Sequence, residues 1–187
     1  MPLAVELAID SPLADRVRDV WMEMTRQGLG VDMLAAGATP HVTLGVFDQI
    51  DTQRAPEVLA AFASQTAAIE LEFASIGTFP GGIVFLGPIV VDELLEANRA
   101  LHHATADLST SPWPYYLPRG WVPHCTLAEK LPPQRVGEAV TLAHEVLRFP
   151  LLSRLHSLQL VDFPPVRQRF ATRGTDGPFL GSEMVDC

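Results

Sequence analysis

The chain has 187 residues, 48% of them hydrophobic and 19% charged, with a formal net charge of −9 and a mean hydropathy of +0.18. That length builds one domain, or two small lobes on a shared core, without needing a disulfide or a structural metal. The acidic balance argues against a protein that grips long duplex nucleic acid, because neutralising phosphates supplies most of that affinity. A small nucleotide or an oligonucleotide end is the better expected partner.

Neither cysteine belongs to a framework: Cys125 sits in an apolar segment and Cys187 is the last residue. No Cys-x-x-Cys pattern is present, so a reducing, cytoplasmic setting is expected. The segment MPLAVELAID lacks a basic start, so no targeting signal is expected there. The strongly apolar run 83–91 is broken by Gly87 and Pro88 and is too short to span a bilayer.

Leu3–Ile9 reads as a strand that stops at the turn signal Asp10-Ser11-Pro12. Ser11 is expected to cap a helix with Pro12 at its first position, carrying Leu13, Val17, Trp21 and Met24 at helical spacing and closing at Gly28 and Gly30. Two passages then follow one plan. The first runs from PHVTLGVF (40–47) into a helix beginning near Pro56 with Leu59, Phe62 and Thr66 on one face, then strands at 69–79 and 83–89 around a Pro-Gly-Gly turn. The second runs from PHCTLAEK (123–130) into a helix opened by Pro132-Pro133 and lined by Val136, Val140, Ala143 and Leu147, then strands at 151–163 and 166–173 around a Pro-Pro turn.

His124 lies 83 residues after His41, and Phe163-Pro164 lies 84 after Phe79-Pro80. Such register marks an internal duplication, with repeat units at 31–91 and 109–174, a linking helix at 92–108, and a tail at 175–187 that reads as loop. A strand–helix–strand–strand unit cannot bury its sheet alone. The expected architecture is therefore α+β, a single bilobal domain over 1–187. It has two mostly antiparallel sheets flanked by helices about a pseudo-twofold axis, with a central cleft.

Side chains two apart on a strand point the same way. His41 and Thr43 thus share one face, opposite Val42 and Leu44; His124 and Thr126 share the other copy's face, opposite Cys125 and Leu127. Facing units would bring two imidazoles and two hydroxyls into one cleft. Attack on a phosphodiester needs a base for the nucleophile and an acid for the leaving oxygen, and histidine serves as either near neutral pH. The pair can split those roles and titrate as a unit. The threonine hydroxyls suit the non-bridging oxygens, where charge must be held. No metal or other cofactor is required by this set.

Two Pro-His-x-Thr-Leu segments at equivalent places in a repeat resemble the two-histidine (2H) phosphoesterase superfamily, which includes the 2′,5′ RNA ligase-like proteins and cyclic nucleotide phosphodiesterases. The resemblance spans roughly residues 3–173. It implies the LigT-like fold and metal-independent chemistry at a 2′,3′-cyclic phosphate, a 1″,2″-cyclic phosphate or a 2′,5′ linkage, with His41, Thr43, His124 and Thr126 catalytic. Which histidine is the base stays open. The pattern departs at one place: bacterial ligase-like members commonly continue Thr-Leu-Ala-Arg, whereas Glu129 and then Lys130 follow Ala128 here.

Around the motifs, Tyr115, Arg119, Trp121, Lys130 and Arg169 are the candidate substrate contacts. Trp113, Tyr115, Tyr116 and Trp121 crowd one loop and fit a base-stacking platform or the loop's own small core equally well. Arg167, Arg169 and Arg173 share a face by period two, as a solvated edge or as a basic rim beside the cleft. Phe79 and Phe163 read as core. His102, His103, His144 and His156 read as solvated or helix-end residues without a partner pattern. Two other classes compete with the enzyme reading: a non-catalytic nucleotide- or RNA-end-binding module, and a metallohydrolase, which lacks a third ligand at metal spacing. The expected protein is a monomer.

Overall fold

The computed structural model describes residues 2–163, 166–173 and 182–183. Its elements are β1 (Leu3–Ile9), α1 (Leu13–Arg26), β2 (His41–Phe47), α2 (Ala55–Gln65), β3 (Ile69–Phe79), β4 (Ile83–Pro88), α3 (Asp92–Ala104), β5 (Cys125–Ala128), α4 (Val136–Val146), β6 (Leu151–Asp162), β7 (Arg167–Arg173) and β8 (Ser182–Glu183). The α+β class expected from the patterning is observed. The Pro-Pro turn at 164–165 and most of the tail lie outside the described residues. Ser182–Glu183, in the stretch read as loop, pairs with β7 as a short strand. Ser11 does not cap α1 through the main chain; its hydroxyl donates to the Asp15 carboxylate at 2.8 Å.

The order of elements repeats along the chain, in a unit that starts one strand and one helix before each motif strand. β1-α1-β2-α2-β3 is repeated as β4-α3-β5-α4-β6, with strand and helix starts offset by 79 to 84 residues. The segment expected to be a linking helix, α3, is the counterpart of α1. The last strand of each repeat crosses over, so that β6 pairs with β1 and β3 pairs with β4, all antiparallel. β3 and β6 also pair with each other, and Leu71 faces Ser153 across that ladder. These two residues are themselves 82 apart, equal to the offset between the starts of β3 and β6, so the pseudo-twofold axis passes between them.

That crossing joins the two expected sheets into one hydrogen-bonded sheet of order β2-β1-β6-β3-β4-β5, with β7 on β6. Exchanging a strand gives β3 and β6 partners on both sides and removes open edges at the middle of the molecule. Helices follow the same exchange: α1 packs with α4 and against β5, while α2 packs with α3, which lies on β2. One core runs through both lobes, including Leu7, Trp21, Val42, Leu44, Phe73, Leu86, Leu127 and Leu158.

The turn between β3 and β4 shows how tightly the motif is framed. Gly82 has φ +75°, and a Cβ there would lie 2.0 Å from the Leu131 carbonyl oxygen, just beyond β5. Its own carbonyl accepts the Leu131 N–H at 3.0 Å. Gly82→Ala combines left-handed strain with a main-chain clash, and is expected to destabilise the fold by about 2 kcal/mol or more. Urea unfolding checks this; a loss under about 0.5 kcal/mol would show that the turn can move away freely.

Candidate active site

Each motif strand lies at one end of the sheet order, and each carries the same irregularity. On β1, Val5 faces Gly45 and Glu6 faces Thr43, leaving Leu44 as the extra residue. On β4, Val84 faces Ala128 and Phe85 faces Thr126, leaving Leu127 as the extra residue. The bulges keep both leucines fully buried while the His and Thr of each motif stay on the other face. Val42 and Cys125 are buried beneath them, as the alternation required.

The curled sheet brings its two ends together, and two tryptophans lock them crosswise. The indole N–H of Trp21, from α1, donates to the Thr126 carbonyl at 3.0 Å. The indole N–H of Trp121 donates to the Thr43 carbonyl, also at 3.0 Å. The Leu44 carbonyl is taken by buried Asn98 at 2.8 Å, whose amide also holds the Tyr116 carbonyl at 3.0 Å. The Cys125 thiol lies against the His41 main chain, and a charge on His41 disfavours protonation of His124. Burial pushes that thiol up to about 12, so it is an inert core group.

Both imidazoles are held alike. The Nδ1–H of His41 donates to the Thr39 carbonyl at 2.6 Å, and that of His124 to the Val122 carbonyl at 2.7 Å. A carbonyl only accepts, so Nδ1 carries the hydrogen in each ring and Nε2 is left for chemistry. The proline between carbonyl and histidine keeps the residue before it extended, which places the acceptor two residues back.

Beyond that, their surroundings differ. His41 Nε2 lies 3.3 Å from Glu6 Oε1, and the other oxygen of Glu6 accepts from Gln159 at 2.7 Å. Burial drives the Glu6 carboxyl up, opposed by His41 and by Gln159. His124 instead sits edge-on to Phe79, with ring centroids 4.9 Å apart, and 5.3 Å from Phe85. Burial holds His124 below the ordinary histidine range; the Val122 carbonyl opposes this and His41 adds to it.

The remaining expected contacts are placed unevenly. Trp121 is buried and bound to Thr43, so it cannot stack on a base and is corrected to a structural role. Trp113 donates to Asp48 and packs on Phe163, and Tyr116 joins the same small cluster with Ala4, Val46 and Val161. The loop therefore has its own core. Tyr115 is 81% exposed, and Arg119 and Lys130 are exposed as well, Lys130 in a left-handed turn with φ 58°. Arg169 is the bulged residue of β7 and donates to buried Asp162 at 2.5 Å. Asp162 faces Leu3, a core residue, so this ion pair lies on the face away from the histidines and the basic-rim expectation fails for Arg169. His102 lies in the last turn of α3, as a helix-end residue, and is half-buried there: its Nε2–H donates to the Tyr116 carbonyl at 2.8 Å.

Sequence patterning does not mark Glu6, Phe79, Phe85 and Trp21 as site residues. A signal existed for Glu6, the lone charge in the apolar strand LAVELAI. None existed for the aromatics, whose types and spacing suit core equally well. Among the described residues no cluster of three or more His, Cys, Asp or Glu is grouped to hold a metal ion.

A curled antiparallel sheet with a paired His-x-Thr at its two ends defines the LigT-like, two-histidine phosphoesterase fold. The chain belongs to the 2′-5′ RNA ligase superfamily, whose profile matches residues 9–164. Among solved structures it is similar to E. coli LigT complexed with 3′-AMP, at 14% identity and TM-score 0.58 over 98% of this chain and 96% of that one. TT0787 of Thermus thermophilus superposes with TM-score 0.59 at 15% identity, covering 98% and 97% of the two chains. Kluyveromyces marxianus Usb1 reaches 0.50 at 13%, covering 89% of this chain and 96% of that one. No curated protein sequence matches the chain.

Proposed function

We propose that the protein is a metal-independent phosphodiesterase that opens a 2′,3′-cyclic or 1″,2″-cyclic nucleotide phosphate, or cleaves a 2′,5′-linked oligonucleotide end. The observation that carries this reading is the paired tautomer lock: both Nδ1–H groups are tied to carbonyls, leaving two Nε2 atoms for acid and base work. Thr43 and Thr126, two residues on and on the same face, supply hydroxyls for the non-bridging oxygens. LigT has been solved with 3′-AMP, ATP and NADP+, which supports a ligand of mononucleotide or dinucleotide size here. Tyr115, Arg119 and Lys130, all exposed, are the proposed outer contacts for the base and phosphates. A cytoplasmic monomer is the setting this reading carries with it.

The test is turnover of 2′,3′-cyclic mononucleotides, 1″,2″-cyclic ADP-ribose and 2′,5′-linked dinucleotides, with product regiochemistry read by phosphorus NMR. Activity is expected to persist in excess chelator. Loss of activity in chelator, restored by one metal, would remove the acid–base mechanism.

A further inference from the structure

The pseudo-twofold axis relates the two motifs down to their bulges, so a difference between equivalent neighbours is informative. Glu6 and Phe85 are such a pair. Each stands opposite a motif threonine, at the same step of the same bulge, on the strand beside it. Each reaches the histidine of its own motif: Glu6 to His41 at 3.3 Å, Phe85 to His124 at 5.3 Å between ring centroids. One lobe therefore sets a carboxyl against its imidazole where the other sets a phenyl ring.

We propose that Glu6 is a positioning residue that keeps the transferable proton on His41, so that His41 is the acid of the reaction and His124 the base. This rests on the phosphodiesterase reading above. With Nδ1–H committed to Thr39, the unprotonated Nε2 of His41 and the carboxylate of Glu6 would be two acceptors 3.3 Å apart. That contact is favourable only with a proton on one of them. Gln159 donates to Oε2 of Glu6, so the proton lies on the side of Oε1 and Nε2. At 3.3 Å the contact is also longer than a charge-assisted hydrogen bond of about 2.7–2.9 Å, so an arriving oxygen can take the Nε2–H.

His124 has no such partner. Phe79 and Phe85 cover it, and the desolvation they impose favours the neutral ring, as does the nearby His41. The other titratable groups around the pair do not reverse this. The Cys125 thiol is buried against the His41 main chain and stays protonated, and Tyr116, which feels both Glu6 and Glu129, is pushed up by burial.

For hydrolysis of a cyclic phosphate the step balances as follows. His124 Nε2 takes a proton from water as the water oxygen bonds to phosphorus. The ring P–O bond breaks, and the departing ribose oxygen takes the Nε2 proton of His41. One water is consumed, a phosphomonoester is formed, and solvent restores the starting protonation.

Two measurements test this. Glu6→Gln keeps the shape and removes the charge. The alkaline limb of its kcat/KM profile, which reports the acid, is expected to move down by about 1–2 pH units, with the acid limb unmoved. Glu6→Asp should return the limb part of the way. Independently of turnover, 15N NMR of the unaltered protein should show His41 protonating at higher pH than His124. His124 titrating above His41, or both limbs moving together in Glu6→Gln, would overturn the proposal. If no phosphodiester is turned over, the phosphodiesterase reading fails, while the order of the two NMR titrations still decides what Glu6 does.

Discussion

Replacing either His41 or His124 by alanine is expected to lower kcat by about 10²–10⁴-fold, the usual contribution of one positioned acid or base. The two single losses should not multiply in the double variant, because a relay missing either member already lacks its concerted step. The fold should survive both changes. Each ring stands on the face of its strand opposite the buried apolar pair, and the main chain beneath is held by other groups: Thr43 by Trp121 and Thr126 by Trp21. Steady-state kinetics alongside thermal unfolding separates the two effects. A single alanine variant retaining nearly full activity would show that the cleft does not act as a pair. The profile of the unaltered enzyme should be bell-shaped, and a flat one from pH 5 to 8 would count against split roles.

Trp21→Ala is expected to be the most damaging single change away from the histidines. The side chain is 1% exposed, on the helix that packs beside β5, and truncation leaves a cavity costing about 3–5 kcal/mol. It also strands the Thr126 carbonyl, whose indole partner is lost. Trp21→Phe separates the two consequences. It keeps most of the buried area and loses the hydrogen bond, so stability should fall by only about 1–3 kcal/mol. If Trp21 positions the second motif, kcat in this variant should drop while KM changes little. Denaturant unfolding gives the first quantity and kinetics the second. A cost under about 1 kcal/mol for the alanine variant would mean that the helix repacks without its tryptophan.

The cross-locks show which parts of the site local sequence could and could not supply. Each Pro-His-x-Thr-Leu string carries its own instructions: proline sets the preceding residue extended, alternation separates His and Thr from the buried apolar pair, and the structure keeps both. Trp121 lies three residues before its histidine and looked like a stacking surface. Its burial follows from a contact with Thr43, 78 residues away in the chain. Likewise a strict period of two groups Arg167, Arg169 and Arg173 on one face, but the bulge at Arg169 breaks that period, and Asp162 holds the Arg169 guanidinium.

The repeat itself was legible from the offset between the motifs, but its limits were not. Spacing alone cannot say where a duplicated unit begins, and β4 with α3 reads equally well as the end of one unit or the start of the next. Strand pairing decides it, since β3 joins β4 and β6 joins β1.

By itself, then, the sequence determined two equivalent strands, the face on which each His and Thr stands, and the α+β class, because period and register are properties of neighbouring residues. Only the tertiary structure decided that the lobes exchange their last strands, that Trp21 and Trp121 clamp the opposite motif, and that Glu6 meets one histidine while Phe79 and Phe85 enclose the other. Those side-chain contacts join residues 35 to 105 positions apart in the chain. They arise from how a curled sheet closes on itself, which no local pattern encodes.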